Sequence, residues 1–353
     1  IKKLDYYVPH LNHLFNEEWI KKLDLKKTLF VDLETTGLAG GTGTFAFLIG
    51  LGYIELDHII VRQYLLPDFQ YEWLLLKHVE NMLISYKYIA SFNGKSFDIP
   101  LLRNRFVLNR MDSVLDEIPH IDILHGARRL WKRRLSSCDL GNLEYMILGE
   151  ERINDIPGEL IPQLYFEYIR KRQALLLRDV LEHNYHDITN LILLTLHMSR
   201  VMDNPMELLN DTADLYSVAY YLYRNQKFPE SLPILEYLHQ NGQDPMIKQE
   251  ALFLLSMTHK KTGDFLASQK YFQLLLQDQK DHPEALEELA KYYEHHDKNF
   301  QAALDLVDQG IEYCEILEQL GKEAPILRKK DDLYHRRNRL NQKILKVKDV
   351  DSS

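Results

Sequence analysis

The chain has 353 residues, 45% of them hydrophobic and 27% charged, with a formal net charge of −9. This length exceeds what one small core needs, so two domains are expected. The acidic balance excludes a protein that coats nucleic acid by bulk electrostatics, but not an enzyme that grips a few phosphates through bound metal ions. Two cysteines, Cys138 and Cys314, and no apolar run of about 18 residues predict a cytoplasmic protein without a membrane partner.

The first 202 residues predict alternating strands and helices. A mixed lead-in over 1–26 precedes a buried strand that begins at Thr28, and the next two apolar stretches form a hairpin turned at 55–58. Hairpin strands followed by strand–helix–strand units indicate an α/β fold with a mixed sheet flanked by helices. The predicted strands are 28–33, 45–54, 59–66, 88–92 and 118–122, and the predicted helices are 72–83, 98–109, 141–148, 161–177 and 182–201.

An internal repeat dominates the rest of the chain. Similar turns recur at 225–228, 261–265 and 297–300, a period of roughly 35 residues, close to the ~34 of a tetratricopeptide repeat. Each turn lies between amphipathic helical stretches, although the consensus Trp and most of the Leu-Gly signature are absent. We predict an all-α tetratricopeptide-like repeat domain over 206–325, followed by a charged helical tail over 326–353.

An acidic motif, Asp32-Leu33-Glu34-Thr35-Thr36-Gly37, follows the first buried strand. Residues two apart on a strand share a face, so Asp32 and Glu34 aim their carboxylates at one spot. Paired acids repel each other and resist desolvation, and a divalent cation offsets that cost. Hard oxygen ligands favour Mg²⁺ or Mn²⁺ over zinc. The alternative is a solvated strand end, the usual context of an isolated Asp-x-Glu.

Two later segments can complete this acidic motif. The segment 91–98 follows the fourth strand and places Asp98 at the carboxyl edge of the sheet, where open α/β sheets collect ligands. His183 and Asp187 are four residues apart and share one helical face. The alternatives are that Asp98 caps a helix, that Asp187 is a first-turn acid favoured by the helix dipole, and that His183 is an ordinary surface or core histidine.

Three segments, FVDLETTGL, SFNGKSFD and HNYHD, resemble in this order the three exonuclease motifs of the DEDD superfamily. Residues 138–143 and 148–150 are similar to the link between the last two motifs. With the repeats added, the chain resembles the bacterial YprB family. The resemblance implies a ribonuclease-H-like 3′–5′ exonuclease domain over 27–202.

The resemblance also assigns roles to individual residues. Four acids would hold two Mg²⁺ or Mn²⁺ ions, and His183 would orient or deprotonate the attacking water. The implied metal ligands, which also count as catalytic, are Asp32, Glu34, Asp98 and Asp187. The residues implied to hold the terminal nucleotide are Thr35, Leu38, Asn93 and Phe97.

His183 departs from the superfamily pattern. One branch has a tyrosine four residues before the last acid, which is the place of His183. The other branch has a histidine five residues before it, where Glu182 stands here. The spacing thus follows one branch and the residue type the other, so the identity of the general base stays open.

We therefore expect a metal-dependent 3′–5′ exonuclease that prefers single-stranded DNA, with RNA as the competing substrate. One alternative is an adaptor that binds nucleic acid, cuts little, and recruits a protein partner through its repeats. Another is an endonuclease on branched or hybrid duplexes, because one fold serves several activities. The basic runs at 128–134 and 170–172 could contact phosphates, or could be solvated helix faces.

Overall fold

A computed structural model of the protein describes residues 6–37, 43–153, 155–320 and 324–351. The chain forms two compact units, Ile1–Asn210 and Asp211–Ser353, which are described separately. Within the described ranges, no helix combines the length and the apolar content that a membrane span requires.

The first unit is built on a five-stranded mixed sheet with the order β3-β2-β1-β4-β5. The central strand β1 pairs antiparallel with β2 and parallel with β4, and the hairpin strand β3 and the parallel strand β5 form the two edges. Because β1, β4 and β5 run in the same direction, their carboxyl ends meet at one edge of the sheet. The strands are β1 Thr28–Thr35, β2 Ala46–Glu55, β3 His58–Leu65, β4 Tyr88–Ser91 and β5 His120–Asp122.

Helices flank this sheet, which confirms the predicted fold class of the first unit. Apolar residues of α2, α3 and α6 share a core with β1 and β2, whereas α7 crosses β1, β2 and β3. The helices are α1 Asn12–Phe15, α2 Glu72–Ile84, α3 Asp98–Leu108, α4 Ile123–Trp131, α5 Leu140–Leu143, α6 Ile161–Lys171, α7 Arg178–Asp203 and α8 Pro205–Leu208. A π-helical turn, Glu144–Leu148, follows α5 directly.

The long helix α7 begins earlier than its sequence pattern predicts. It starts at Arg178, after a 3₁₀ turn at Ala174–Leu177, so Asp187 lies in its third turn and the first-turn interpretation of that acid is wrong. The helix predicted over 161–177 exists but is shorter, because α6 covers Ile161–Lys171 and its C-cap residue Arg172 has a left-handed φ of 57°. The Arg172 guanidinium donates to the Pro67 carbonyl at 2.7 Å, a tertiary contact that local periodicity does not encode.

The second unit is a series of helical hairpins. The turns between paired helices each contain one residue with positive φ, namely Gln226 (60°), Gly263 (90°) and Lys298 (56°). These turns coincide with the repeated sequence motif, while the tetratricopeptide assignment stays a prediction. The helices are α9 Thr212–Arg224, α10 Phe228–Asn241, α11 Pro245–Thr262, α12 Phe265–Asp278, α13 Pro283–Tyr292, α14 Phe300–Gln319 and α15 Ala324–Asp351.

The charged terminal helix α15 is packed on one side. Leu333 and Leu340 are fully buried and join the core formed by α13 and α14. Arg339 and Lys343 donate to the carboxylate of Glu294, which is itself fully buried. A buried carboxylate requires such partners, because desolvating it alone is costly. The helix is therefore part of the second unit's core.

Candidate metal centre

The acidic motif lies at the carboxyl end of β1, where α7 crosses the sheet. Asp32 is paired in register with Gly50 of β2, and an irregularity in the ladder falls between Glu34 and Thr35. The side chain of Asn184 on α7 donates from Nδ2 to Oδ2 of Asp32 at 2.8 Å. This hydrogen bond ties the first predicted motif to the third.

Glu34, His183 and Asp187 form the closest group of potential ligands. Each offers one ligand atom, and these atoms lie within 4.8 Å of one another. His183 and Asp187 are one helical turn apart on α7, with 3.5 Å between Nε2 and Oδ2. All three side chains are half-buried, so the group remains open to solvent. The structure thus brings together three of the five predicted catalytic residues.

Asp32 and Asp98 belong to the same electrostatic cluster. Burial raises the pKa of Asp32 well above its ordinary value, and the charges of Asp187, Glu34 and Asp98 add to the shift. Burial likewise raises the pKa of Asp98 to about 7, helped by the charge of Asp122 and, more weakly, by that of Asp187. Asp98 is the first residue of α3, and Phe97 occupies the N-cap position.

The donor chemistry of this cluster suits a hard divalent cation. Burial raises the pKa of Glu34 to about 8, and the charges of Asp187 and Asp98 contribute to the rise. Carboxylates that raise one another's pKa in this way are poorly compensated without positive charge. Oxygen ligands of this kind fit Mg²⁺ or Mn²⁺. The residues present therefore fit the metal that the sequence predicts.

A buried amide network supports Asp32, and sequence reasoning missed it. Asn184 is fully buried. Its Oδ1 accepts from Nε2 of Gln63 at 2.9 Å, and the same Nε2 contacts the Leu181 carbonyl at 2.7 Å. Gly50 makes room for this amide, because a Cβ atom there would lie 2.3 Å from Oδ1 of Asn184. In the sequence, the only indication of a role for Asn184 is its position inside the HNYHD segment.

An arginine and two further acids also join the site. The guanidinium of Arg152 donates from Nε to Oε2 of Glu144 at 2.6 Å, and from Nη2 to Asp187. Its Nη1 lies 3.1 Å from Oδ2 of Asp155, whose Oδ1 is 2.7 Å from Nδ1 of His183. No spacing in the sequence distinguishes these charged residues from a solvated loop.

The loop after β4 is shaped by Asp122, which is buried at the end of β5. Its Oδ1 accepts from the backbone N–H of Asn93 at 2.8 Å, and its Oδ2 accepts from that of Lys95 at 3.0 Å. These bonds hold Asn93 at a φ of 62°, a conformation that asparagine tolerates better than most residues. The loop then enters α3 at Asp98.

The predicted nucleotide-binding residues have different environments. Phe97 exposes 59% of its surface beside Asp98, which leaves its ring open to a ligand. Asn93 is half-buried in the loop described above. The Thr35 hydroxyl donates to the Gly37 carbonyl at 3.0 Å. Leu38 lies outside the described residues.

One arginine from each basic run is engaged in tertiary structure. The Arg129 guanidinium donates to the Leu14 carbonyl and lies over the Phe15 ring, 5.9 Å from its centroid. Arg172 bonds the Pro67 carbonyl and the Asp68 carboxylate. These contacts give both residues a structural role in joining distant segments.

Comparison with known proteins agrees with this architecture. A model of the RNase H superfamily matches residues 29–199, from β1 to the last turns of α7. The uncharacterized protein YprB of Bacillus subtilis (strain 168) is 33% identical over 317 residues, which cover 89% of this chain and 75% of YprB. The match therefore extends beyond the sheet domain into the helical hairpins. The chain belongs to the YprB family and carries an RNase H superfamily domain.

Proposed function

We propose that the first unit is a metal-dependent 3′–5′ exonuclease acting on nucleic acid ends, with single-stranded DNA as the preferred substrate. The observation that carries the proposal is the group of Glu34, His183 and Asp187 at the carboxyl edge of an RNase H superfamily sheet. The electrostatic coupling of this group to Asp32 and Asp98 supports a larger site. The preference for DNA rests on the resemblance to the DEDD superfamily.

The acids of this site would bind the metal and leave the substrate phosphate within reach of it. Asp32, Glu34, Asp98 and Asp187 would act as ligands. A pair of bound Mg²⁺ or Mn²⁺ ions would lower the pKa of a water molecule and stabilise the charge on the leaving 3′ oxygen. The exposed ring of Phe97 would stack on the terminal base, a contact that tolerates any base.

His183 would orient a water molecule or accept a proton from it. Asp155 lies 2.7 Å from Nδ1. Although burial opposes it, hydrogen bonding to His183 and Arg152 keeps the pKa of Asp155 below its ordinary value, so that this carboxylate is ionised at neutral pH. An ionised carboxylate only accepts, and its 2.7 Å contact with Nδ1 is much shorter than the 3.4 Å contact from Nη1 of Arg152, so we assign Nδ1 as the donor and Nε2, on the side of Asp187, as the acceptor. This arrangement supports His183 as the base.

Cleavage assays test the proposal. The full chain is incubated with Mg²⁺ or Mn²⁺ and with 5′-labelled single-stranded DNA or RNA of equal sequence. We expect a ladder that shortens from the 3′ end, with DNA cut faster. Asp32→Asn should reduce the rate by about 10²–10³-fold, the loss typical of removing one electrostatic stabiliser, whereas the exposed Asp179→Asn should cut like the parent chain.

Other patterns of products would contradict the exonuclease. Internal cuts would show an endonuclease of the same fold. Binding of both nucleic acids without cleavage in either metal would favour the adaptor, in which the helical hairpins of the second unit recruit a protein partner. Faster cleavage of RNA would reverse the proposed substrate preference.

Asp155→Asn is expected to lower the single-turnover cleavage rate about 10–100-fold, the usual effect of losing a group that orients a catalytic side chain. Asparagine can donate to Nδ1 as well as accept from it, so the tautomer of His183 would no longer be fixed. Asp116→Asn, which changes an exposed acid paired with Arg103, is the matched control. Equal rates for the two variants would remove Asp155 from the mechanism.

A further inference from the structure

Arg152 is anchored to a buried acid by the local fold of the chain. The π-helical turn Glu144–Leu148 ends at Gly149, which has a φ of 73°, a conformation that favours glycine. The chain reverses there, and the Glu150 N–H donates to the Glu144 carbonyl at 3.0 Å. Arg152 therefore returns to Glu144, whose surface is only 1% exposed, and binds both of its carboxylate oxygens.

The other side of the guanidinium faces the candidate metal centre. Nη2 also contacts Oδ1 of Asp187. Nη1 lies 3.1 Å from Asp155 and 3.4 Å from Nδ1 of His183. One planar group thus connects a buried carboxylate to Asp187 on α7 and to Asp155 beside it.

We propose that Glu144 and Arg152 form a positioning pair that orients Asp187 and, through Asp155, His183, and that this orientation strengthens the binding of a divalent cation. The inference rests on the proposed function in one respect, since it takes Asp187 as a metal ligand. It assigns neither Glu144 nor Arg152 a contact with the metal or the substrate.

Two observations favour positioning over competition between Arg152 and the cation. Withdrawal of Arg152 would leave the buried carboxylate of Glu144 without its positive partner, which is strongly unfavourable, so the guanidinium is expected to stay in place when metal binds. Arg152 contacts Oδ1 of Asp187, while Oδ2 is the oxygen 3.5 Å from Nε2 of His183. Asp187 can therefore bind Arg152 with one oxygen and a cation with the other.

The positive charge of Arg152 has an effect opposite to that of its positioning. By itself, a guanidinium beside the acids repels a metal ion and lowers metal affinity. Loss of an outer partner that orients a metal ligand, however, usually lowers metal affinity 10–100-fold. Arg152 lies mainly against Glu144, which offsets its charge locally. We therefore expect the loss of Arg152 to weaken metal binding, because the loss of positioning outweighs the removal of its positive charge.

The inference is tested by measuring the Kd of Mn²⁺ for the full chain without nucleic acid. The two methods are titration calorimetry and electron paramagnetic resonance, which detects free Mn²⁺. The Kd of Arg152→Met is expected to rise about 10–100-fold. Arg152→Lys should remain several-fold weaker than the parent chain, because a point charge does not replace a planar fork. Arg178→Met, which changes an arginine with a 72% exposed side chain, should leave the Kd unchanged.

A second variant covers the case in which Arg152→Met fails to fold around the unpaired Glu144. Glu144→Gln/Arg152→Met removes both charges, and its folding is checked by circular dichroism. Its Kd for Mn²⁺ should show the same increase. A parent-like or tighter Kd in either variant, full affinity in Arg152→Lys, or no Mn²⁺ binding by the parent chain would overturn the inference.

The two proposals can fail separately. If the parent chain binds Mn²⁺ but cuts no nucleic acid, while the variants bind Mn²⁺ more weakly, positioning stands and the exonuclease falls. If the parent chain cuts and all variants bind Mn²⁺ equally, the exonuclease stands and positioning falls.

Discussion

Glu34→Gln is expected to raise the unfolding temperature of the metal-free protein at pH 8 by several degrees, and to lower any metal-dependent cleavage about 10²–10³-fold. Burial, with the charges of Asp187 and Asp98, raises the pKa of Glu34 from its ordinary 4.5 to about 8. Glutamine keeps the shape of the side chain and removes the charge that repels its neighbours. The same change should therefore stabilise the metal-free fold and lower the activity of the proposed site.

The sign of the pH dependence follows from this shift. A carboxyl group with a raised folded-state pKa contributes stability that is fully present below its unfolded pKa, near 4.5, and is lost as the pH rises through about 8. Asp98, with a pKa of about 7, acts in the same direction over a lower range. The contribution of these two groups to the stability of the metal-free protein should therefore fall between pH 5 and pH 8.

Mg²⁺ should reverse this loss. Metal binding requires deprotonated carboxylates, so the rise in unfolding temperature on adding Mg²⁺ should be larger at pH 8 than at pH 6. Glu34→Gln should lose most of this rise at both pH values. After removal of metal with EDTA, the unfolding temperature of Glu34→Gln at pH 8 should again be higher than that of the parent chain. The exposed Glu159→Gln is the matched control. A lower unfolding temperature of metal-free Glu34→Gln at pH 8 would contradict the prediction.

The elements that could be predicted are those fixed by local chemistry. The hairpin was expected over 45–54 and 59–66, and β2 and β3 are found at Ala46–Glu55 and His58–Leu65. Its turn residues Leu56 and Asp57 both have positive φ, the geometry of a tight two-residue loop. The turns of the helical hairpins were found in the same way, because each repeats a local motif.

The elements that were missed depend on distant contacts. Arg172, the C-cap residue of α6, bonds to Pro67 and Asp68, over a hundred residues earlier in the chain. The 3₁₀ turn before α7 gives no periodic signal, and helix boundaries carry less information than helix interiors. Errors of this kind moved the start of α7 but left its apolar pattern correctly assigned.

The residues of the candidate site likewise fall into those predictable from local spacing and those that depend on distant contacts. Asp32 and Glu34 could be paired from their spacing on a strand, and His183 and Asp187 from their spacing on a helix. The groups around them act across the fold, since Asn184 and Asp32 are 152 residues apart. Arg152 and Asp155 reach Asp187 and His183 only because the chain after Gly149 folds back towards α7. Such partners are visible in three dimensions alone.

Gly50→Ala is expected to destabilise the first unit by about 1–3 kcal/mol, the range for overpacking a buried site. A Cβ atom at this position would lie 2.3 Å from Oδ1 and 2.7 Å from Nδ2 of Asn184. Asn184 is fully buried, so its amide has no solvent to move into. Either α7 shifts away from β2, or the amide rotates and loses its bonds to Gln63 and Asp32.

Urea unfolding of the full chain measures this effect, with Gly158→Ala as the control, because a Cβ atom at Gly158 would meet no described atom within 4 Å. The double variant Gly50→Ala/Asn184→Ala removes the clash, and a double-mutant cycle should give a coupling of about 0.5–3 kcal/mol. Mn²⁺ affinity should be reduced in the double variant, since Asp32 lacks its amide partner there. An unfolding midpoint of Gly50→Ala equal to that of Gly158→Ala would show that α7 is not held against β2 at this point, and the support for Asp32 would then have to come from elsewhere in the sheet.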